Sequence, residues 1–338
     1  MASSDTPAGQ AAHDPATHDP ATHDARNPGV PFDAAWFDGV RVNRSATERR
    51  AASLPARRSI KGDAQAAWLL RAITLIDLTT LAGDDTAGRV RRLAAKARRP
   101  VRSDVLEALG MAHAGVTTGA VCVYPTMVPH AVEALGASGV PVASVASGFP
   151  AGLMPMPQRA AEVAWAVEAG AREIDVVITR EHALTGRWRA LYDEVAELRA
   201  AAGDAHLKVI LATGELGTLT RVHRAATVAM MAGADFVKTS TGKEPVNATL
   251  EVGLVMARAV RHYQDRTGHP VGFKPAGGIR TAKAALAWMA MIHDELGPEA
   301  LTPERFRFGA SGLLTDVERQ LEHHVTGRYA ARHHQPLA

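Results

Sequence analysis

A single cysteine, Cys122, occurs in the 338 residues of this chain. One thiol supports neither an intrachain disulfide nor a thiolate metal cluster, which suits a reducing compartment. Aromatic residues are scarce at 5%, while Ala, Gly and Val are abundant, the usage of helices packed closely on a parallel sheet. No apolar run approaches the length of a membrane span, and the N-terminus carries no hydrophobic signal core. A cytoplasmic protein with no membrane partner is therefore expected. There is no dense basic cluster: the net charge is only +3, and the arginines are spread along helical faces. That pattern reads as solvated surface and predicts no nucleic-acid partner. No G-x-G-x-x-G turn follows the first strand-like run, as an open doubly wound dinucleotide-binding sheet would require.

What is present is a globular composition, 46% hydrophobic and 22% charged, sufficient for a sizeable core. Residues 1–30 run through AAHDP, ATHDP and ATHDA, with His13, His18 and His23 each followed by Asp. So little apolar surface cannot drive folding, and a disordered tail is expected rather than a metal-binding tract. The pairs His323–His324 and His333–His334 are read the same way, and no metal or other cofactor is expected. A helical extension over 31–70 is expected next, then a catalytic domain over 71–326 and a short tail over 327–338.

Within that domain the pattern alternates. Eight apolar, strand-like runs contain IDLTT, AVCVYP, PVASVASGFP, EIDVVI, HLKVILATGEL, DFVKTSTG, VGFKPAGG and RFRFGASGLL. Helical patterns separate them, over about 89–109, 128–135, 158–169, 188–201, 225–232, 248–264 and 281–296. Gly170 and Gly233 each close a helix just before a strand, as a left-handed cap residue does. The alternation predicts an α/β fold, a (β/α)8 TIM barrel with an extra N-terminal helical segment.

In such a barrel the C-terminal ends of the strands form the active-site rim. Polar residues near those ends are Asp77 and Thr79, Cys122, Asp175, Lys208, Thr213 and Glu215, Lys238, Lys274, and Ser311. Charges inside apolar strands are costly unless they meet one another in a polar cavity. Taken singly, Asp77, Lys208 and Glu215 fit a structural ion pair as well as a functional role.

Lys238 and Lys274 make a stronger case as a pair. Each ends a short apolar run that breaks at once into small, turn-forming residues, so each points into enclosed space. Two lysines facing one cavity discourage each other from holding a proton, and a neutral amine is a nucleophile toward carbonyl carbon. One lysine then serves as nucleophile and the other as its electrostatic modulator. Asp175 is either a neutralising counter-ion or a proton carrier, directly or through water.

Small-residue turns follow the late strands at Thr241-Gly242-Lys243, Gly277-Gly278 and Gly309-Ala310-Ser311-Gly312. Glycine lets backbone N–H groups approach an anion, and helices starting just afterwards add a favourable dipole. The loops after strands seven and eight of a barrel are a frequent phosphate site, with Lys243 and Arg280 as added charge.

In this order the motifs IDLTTL, CVYP, EIDVVI, LKVILATGEL, DFVKTSTGK, VNAT, GFKPAGGIRT and RFGAS resemble the deoxyribose-phosphate aldolases, class I aldolases on a barrel. The resemblance runs from about Val42 to the C-terminal region. ATGELGTLT and HHVTGRYAA look like the longer form of the family. The resemblance implies cleavage of 2-deoxy-D-ribose 5-phosphate to D-glyceraldehyde 3-phosphate and acetaldehyde, in deoxynucleoside breakdown, and the reverse condensation. It implies Lys238 as the Schiff-base lysine, Lys274 as the cation that lowers its basicity, and Asp175 as the partner acid/base. Asp77 and Thr79 would order the site and substrate. Gly242, Lys243, Gly277, Gly278, Gly309 and Ser311 would lie at or near the phosphate, and Cys122 and Lys208 near the site. The implied partners are a small sugar phosphate and an aldehyde, with a homodimer or small homo-oligomer as the assembly.

Two departures stand out. Many members have Ser-Ser after GA, whereas here Gly312 follows Ser311, which implies weaker phosphate binding and not a different reaction. Some members end in a mobile tyrosine, whereas this chain ends QPLA. A transaldolase-like Schiff-base barrel would share the lysine without needing this pair. A non-catalytic phosphate-binding barrel would have no use for two desolvated lysines.

Overall fold

The computed structural model describes residues 26–57, 60–331 and 334–335. The repeats with His13, His18 and His23, and also His333, lie outside the described residues. Two helices, α1 (Arg44–Arg57) and α2 (Gly62–Thr74), precede β1 (Asp77–Thr79). Then come α3 (Ala87–Arg98), α4 (Ser103–Ala108), β2 (Ala120–Val123), α5 (Val128–Leu135) and β3 (Val142–Ala146). Next are α6 (Met156–Glu168), β4 (Glu173–Val177), α7 (Arg180–Thr185), α8 (Trp188–Ala202) and β5 (His206–Ile210). The chain continues through α9 (Leu219–Met231), β6 (Phe236–Lys238), α10 (Leu250–Thr267) and β7 (Gly272–Lys274) to α11 (Ala282–Leu296) and α12 (Ser311–Thr326). The helical stretch expected over 89–109 is two helices, because Pro100 lacks an N–H and disfavours helical geometry at Arg99.

The strands pair in parallel and in chain order from β1 to β7. The eighth run does not form a regular strand, yet it closes the barrel. Residues 305–309 bridge β7 through Phe273–Phe306 and Ala276–Gly309, and bridge the entry to β1 through Ile76–Phe308. β7 ends at Lys274 because Pro275 has no N–H to continue a ladder. The remaining bonds run from Phe273 N to Arg305 O, Arg307 N to Phe273 O and Gly309 N to Pro275 O.

Several helices that follow strands start on the same device. Thr86, Thr218, Thr249 and Thr281 each accept, through the side chain, the N–H three residues on. Alternation along each strand then sorts the side chains. Val121, Val123, Ile174, Val176, Leu207, Val209, Val237, Phe273, Phe306 and Phe308 join the main core with the helices. The opposite parity faces the barrel axis, where Ala120, Cys122, Ala143 and Val145 form a small apolar cluster beneath Leu81, Tyr124 and Phe149.

The segment before α1 is strapped to the outside of the barrel. Asn27, buried, donates from its side chain to Met230 O and Ala234 O, each at 2.8 Å, and accepts from Tyr263 Oη at 2.9 Å. Val30 N bonds Met231 O, and Tyr192 Oη bonds Val30 O. Among the described residues, no helix is long and apolar enough to cross a membrane.

Candidate active site

The inward parity of β4 to β7, β1 and the eighth run carries charge instead of aliphatic bulk. Glu173 and Asp175 on β4, Lys208 on β5, Lys238 on β6, Lys274 on β7, Asp77 on β1 and Arg307 on the eighth run are all buried. The register sets Asp175 beside Lys208 and Lys238 beside Lys274. Gly272 makes room: a Cβ there would strike the ring of Phe236, which lies across the barrel floor 6.0 Å from Lys208 Nζ.

Asp175 is the hub. Its Oδ2 accepts from Lys238 Nζ and from Lys274 Nζ, both at 2.7 Å, and its Oδ1 accepts from Lys208 Nζ at 3.0 Å. Lys208 also donates to Glu173 at 2.5 Å, and Lys274 donates to Asp77 Oδ2. Below them, Arg307 bonds Asp77 Oδ1 at 2.6 Å and Glu173 Oε1 at 2.8 Å. Three carboxylates thus face four cation-forming groups, and Lys238 touches only the carboxylate that the other two lysines also use.

The electrostatics follow from that sharing. Burial pushes Lys238 below the ordinary lysine range, and the neighbouring Lys274 adds to the push against the pull of Asp175. Burial acts on Lys274 too, but the carboxylates of Asp175 and Asp77 outweigh it and raise this lysine. Lys208 is likewise raised against its burial by Asp175 and Glu173. Burial would raise Asp175; Lys208, Lys238 and Lys274 hold it well below the usual carboxylate range. The Cys122 thiol is pushed up to about 11, first by burial and then by the Asp175 charge, so it is a neutral packing group. The arrangement is one amine with a diminished hold on its proton, set against a neighbour that keeps its own.

The rim above differs in detail from the turns read in the sequence. Thr241 N donates to the Glu244 carboxylate at 3.0 Å and Gly242 N at 3.1 Å, so a side chain of the chain itself fills that turn. Gly277 N donates to Gly309 O and Gly309 N to Pro275 O, so both are spent on barrel closure. Gly309 is small for packing reasons, since a Cβ would sit 2.7 Å from that of Ala276. The Ser311 hydroxyl is engaged within the chain: it donates to Thr79 O at 2.7 Å and accepts from Thr79 N at 2.6 Å. Among the described residues, no side chain caps α12, so the N–H groups of Ser311 and Gly312 in its first turn have no intrahelical acceptor, and Gly278 and Gly312 both face open space. Lys243 and Arg280 are exposed beside them, Lys243 reaching Leu81 O at 3.0 Å. No group of three or more His, Cys, Asp or Glu among the described residues is placed to hold a metal ion.

The model of the DeoC/LacD family of aldolases matches residues 71–314. A deoxyribose-phosphate aldolase of Mus musculus is 60% identical over 312 residues, covering 92% of this chain and 98% of that protein. That of Homo sapiens is 58% identical over 316 residues, covering 93% and 99%. The chain belongs to the DeoC/LacD aldolase family. A tetrameric deoxyribose phosphate aldolase from Aeropyrum pernix, 22% identical, superposes with a TM-score of 0.56 over 83% of this chain and 99% of that one, and so shares the fold.

Within this aldolase framework, Asp77, Asp175, Lys208, Lys238 and Lys274 come together, with Cys122 close by and Thr79 at the rim above them. Glu173, Arg307, Arg180 and Glu244 were not singled out in the sequence. Glu173 and Arg307 were legible by parity, since each stands two residues from, or between, residues of known facing. Arg180 was not: it bonds Ala151 O at 2.6 Å and Pro150 O at 3.1 Å, and pairs with Glu215 at 2.5 Å. It thereby ties the loops after β3 and β5 to the start of α7, which no local pattern announces.

Proposed function

We propose that this chain is a Schiff-base aldolase that reversibly cleaves 2-deoxy-D-ribose 5-phosphate into D-glyceraldehyde 3-phosphate and acetaldehyde. The observation that carries the reading is the uneven sharing of Asp175, which singles out Lys238 as the amine least able to keep a proton. A neutral Lys238 Nζ adds to the C1 aldehyde, and loss of water gives an iminium. The 3-hydroxyl then gives up its proton, the C2–C3 bond breaks, and glyceraldehyde 3-phosphate leaves. The electron pair stays on the amine side as an enamine. Protonation at C2 and hydrolysis release acetaldehyde and restore the lysine.

Proton traffic runs at one oxygen, where ionised Asp175 meets the ammonium of Lys274. The shifts keep Asp175 ionised and Lys274 charged at rest, so one has a vacant site for a proton and the other carries one, and the transfer runs directly or through water. The apolar wall of Leu81, Tyr124 and Phe149 suits the two-carbon end of the sugar. The N–H groups of Gly278, Ser311 and Gly312, with Lys243 and Arg280, suit the phosphate. Ser311 contributes its backbone there and uses its hydroxyl to clasp β1.

The test is to incubate the protein with deoxyribose 5-phosphate, reduce with borohydride and map the adduct by mass spectrometry. The expected product is a single adduct on Lys238, absent in Lys238→Met. An adduct on another lysine, or none, refutes the assignment.

A further inference from the structure

The seven interior charges do not pair off one to one, and the reason lies at the barrel floor. Lys208, Lys274 and Lys238 would have a carboxylate each if Glu173, Asp77 and Asp175 served them alone. Arg307 prevents this by binding Asp77 Oδ1 at 2.6 Å and Glu173 Oε1 at 2.8 Å. Its guanidinium cannot release a proton, so the excess of positive charge has to be relieved elsewhere. Lys208 and Lys274, each sharing its first carboxylate with Arg307, both lean on Asp175 as well.

We propose that Arg307 is a positioning residue that keeps Lys238 reactive, because by claiming Asp77 and Glu173 from below it leaves Lys238 without a carboxylate of its own. The inference rests on Lys238 being the Schiff-base lysine. The groups that act on Lys238 are Asp175 from β4, Lys274 from β7 and Cys122 from β2; Lys208 from β5 and Asp77 from β1 reach it through Asp175 and Lys274, and Glu304 lies within electrostatic reach of Arg307. Arg307 acts on Lys238 through the carboxylates and touches no part of the reacting centre.

The decisive variants change the charge count. Arg307→Gln keeps hydrogen-bond donors near both carboxylates and removes the charge, so each of the three lysines gains its own partner. Arg307→Gln combined with Glu173→Gln removes one charge of each sign and restores the excess of one cation. Removing both partners of a buried ion pair is also better tolerated than removing one.

The reading is the pH dependence with which Lys238 is labelled by a small acylating reagent, followed by mass spectrometry on the folded full-length chain without substrate. In Arg307→Gln the labelling midpoint should rise by at least about one pH unit, a tenfold loss of neutral amine on its acid side. In the double variant it should return toward the parent value, and Arg307→Lys should lie closer to the parent than Arg307→Gln does. A purely structural role for Arg307 predicts no such return, since the double variant has lost more contacts. A folded Arg307→Gln with an unmoved midpoint overturns the inference, as does a double variant that stays with Arg307→Gln. If Arg307→Gln does not fold, the double variant is read against Glu173→Gln alone, whose midpoint should lie below the parent's; a double variant raised from it toward the parent upholds the inference, and one that stays with Glu173→Gln overturns it. An ordinary lysine midpoint in the parent protein would instead sink the functional reading itself.

Discussion

Lys238 and Lys274 are the same residue type at adjacent positions of neighbouring strands, yet their environments drive them apart. Both are buried and both touch Asp175 Oδ2 at 2.7 Å; only Lys274 also reaches Asp77. That second carboxylate decides which amine keeps its proton. Replacing Lys274 by Met removes the neighbouring cation and frees Asp175 for Lys238, so Lys238 becomes more basic. The acid limb of the activity profile should then move to higher pH, and the neutral-pH rate should fall by roughly 10²–10⁴-fold from the electrostatic and proton-transfer losses together. A kcat against pH titration of the variant with deoxyribose 5-phosphate checks this; an acid limb left where it was would contradict the role. Arg280 and Lys243, in contrast, are exposed on the rim, where a charge steers and positions an anion without shifting other groups much.

At the scale of the elements, the strands were legible because inside and outside differ in kind. Apolar runs ended by turn residues marked each strand, and threonine caps and glycine stops marked the helices that follow. The eighth run also read as a strand, but Pro275 in the neighbouring run reduces its pairing to bridges. β7 depends on one glycine for a reason that only neighbours supply. Gly272 stands where the Phe236 ring crosses from β6, so Gly272→Ala should overpack the floor and destabilise the protein by about 1–3 kcal/mol. Urea unfolding measures the loss, and Phe236→Leu in the same chain should recover part of it. No recovery would mean that the glycine is needed for some other reason. The turns at Thr241-Gly242 and Gly277 were legible as turns, but not their acceptors. Those are Glu244 and Gly309, brought there by loop conformation and barrel closure.

At the scale of the whole molecule, the barrel is filled on one side by ionised groups that stand in for packing, which links stability to pH. Burial would raise Asp77, Glu173 and Asp175, but the surrounding Lys274, Arg307 and Lys208 hold all three below the ordinary carboxylate range. Their contribution is therefore complete above about pH 4–5 and is lost as acid protonates them. Lys238 acts in another window: the native chain holds its proton less firmly than the unfolded chain, so its contribution to stability grows as pH rises toward the ordinary lysine range. Denaturant midpoints should fall steeply below about pH 4; Asp77→Asn, which leaves Arg307 and Lys274 short of a partner, should lose about 3–5 kcal/mol at pH 7. A stability curve flat down to pH 3 would show that the interior ion pairs contribute nothing. By itself the sequence determined the barrel, the order of its elements, the pair of inward lysines and their acid partner, because strand parity, caps and turn residues are local signals. Only the tertiary structure decided how three carboxylates are divided among four cations, which lysine is left short, and which turns remain open to an anion, because those outcomes depend on atoms brought within about 3 Å from strands far apart in the chain.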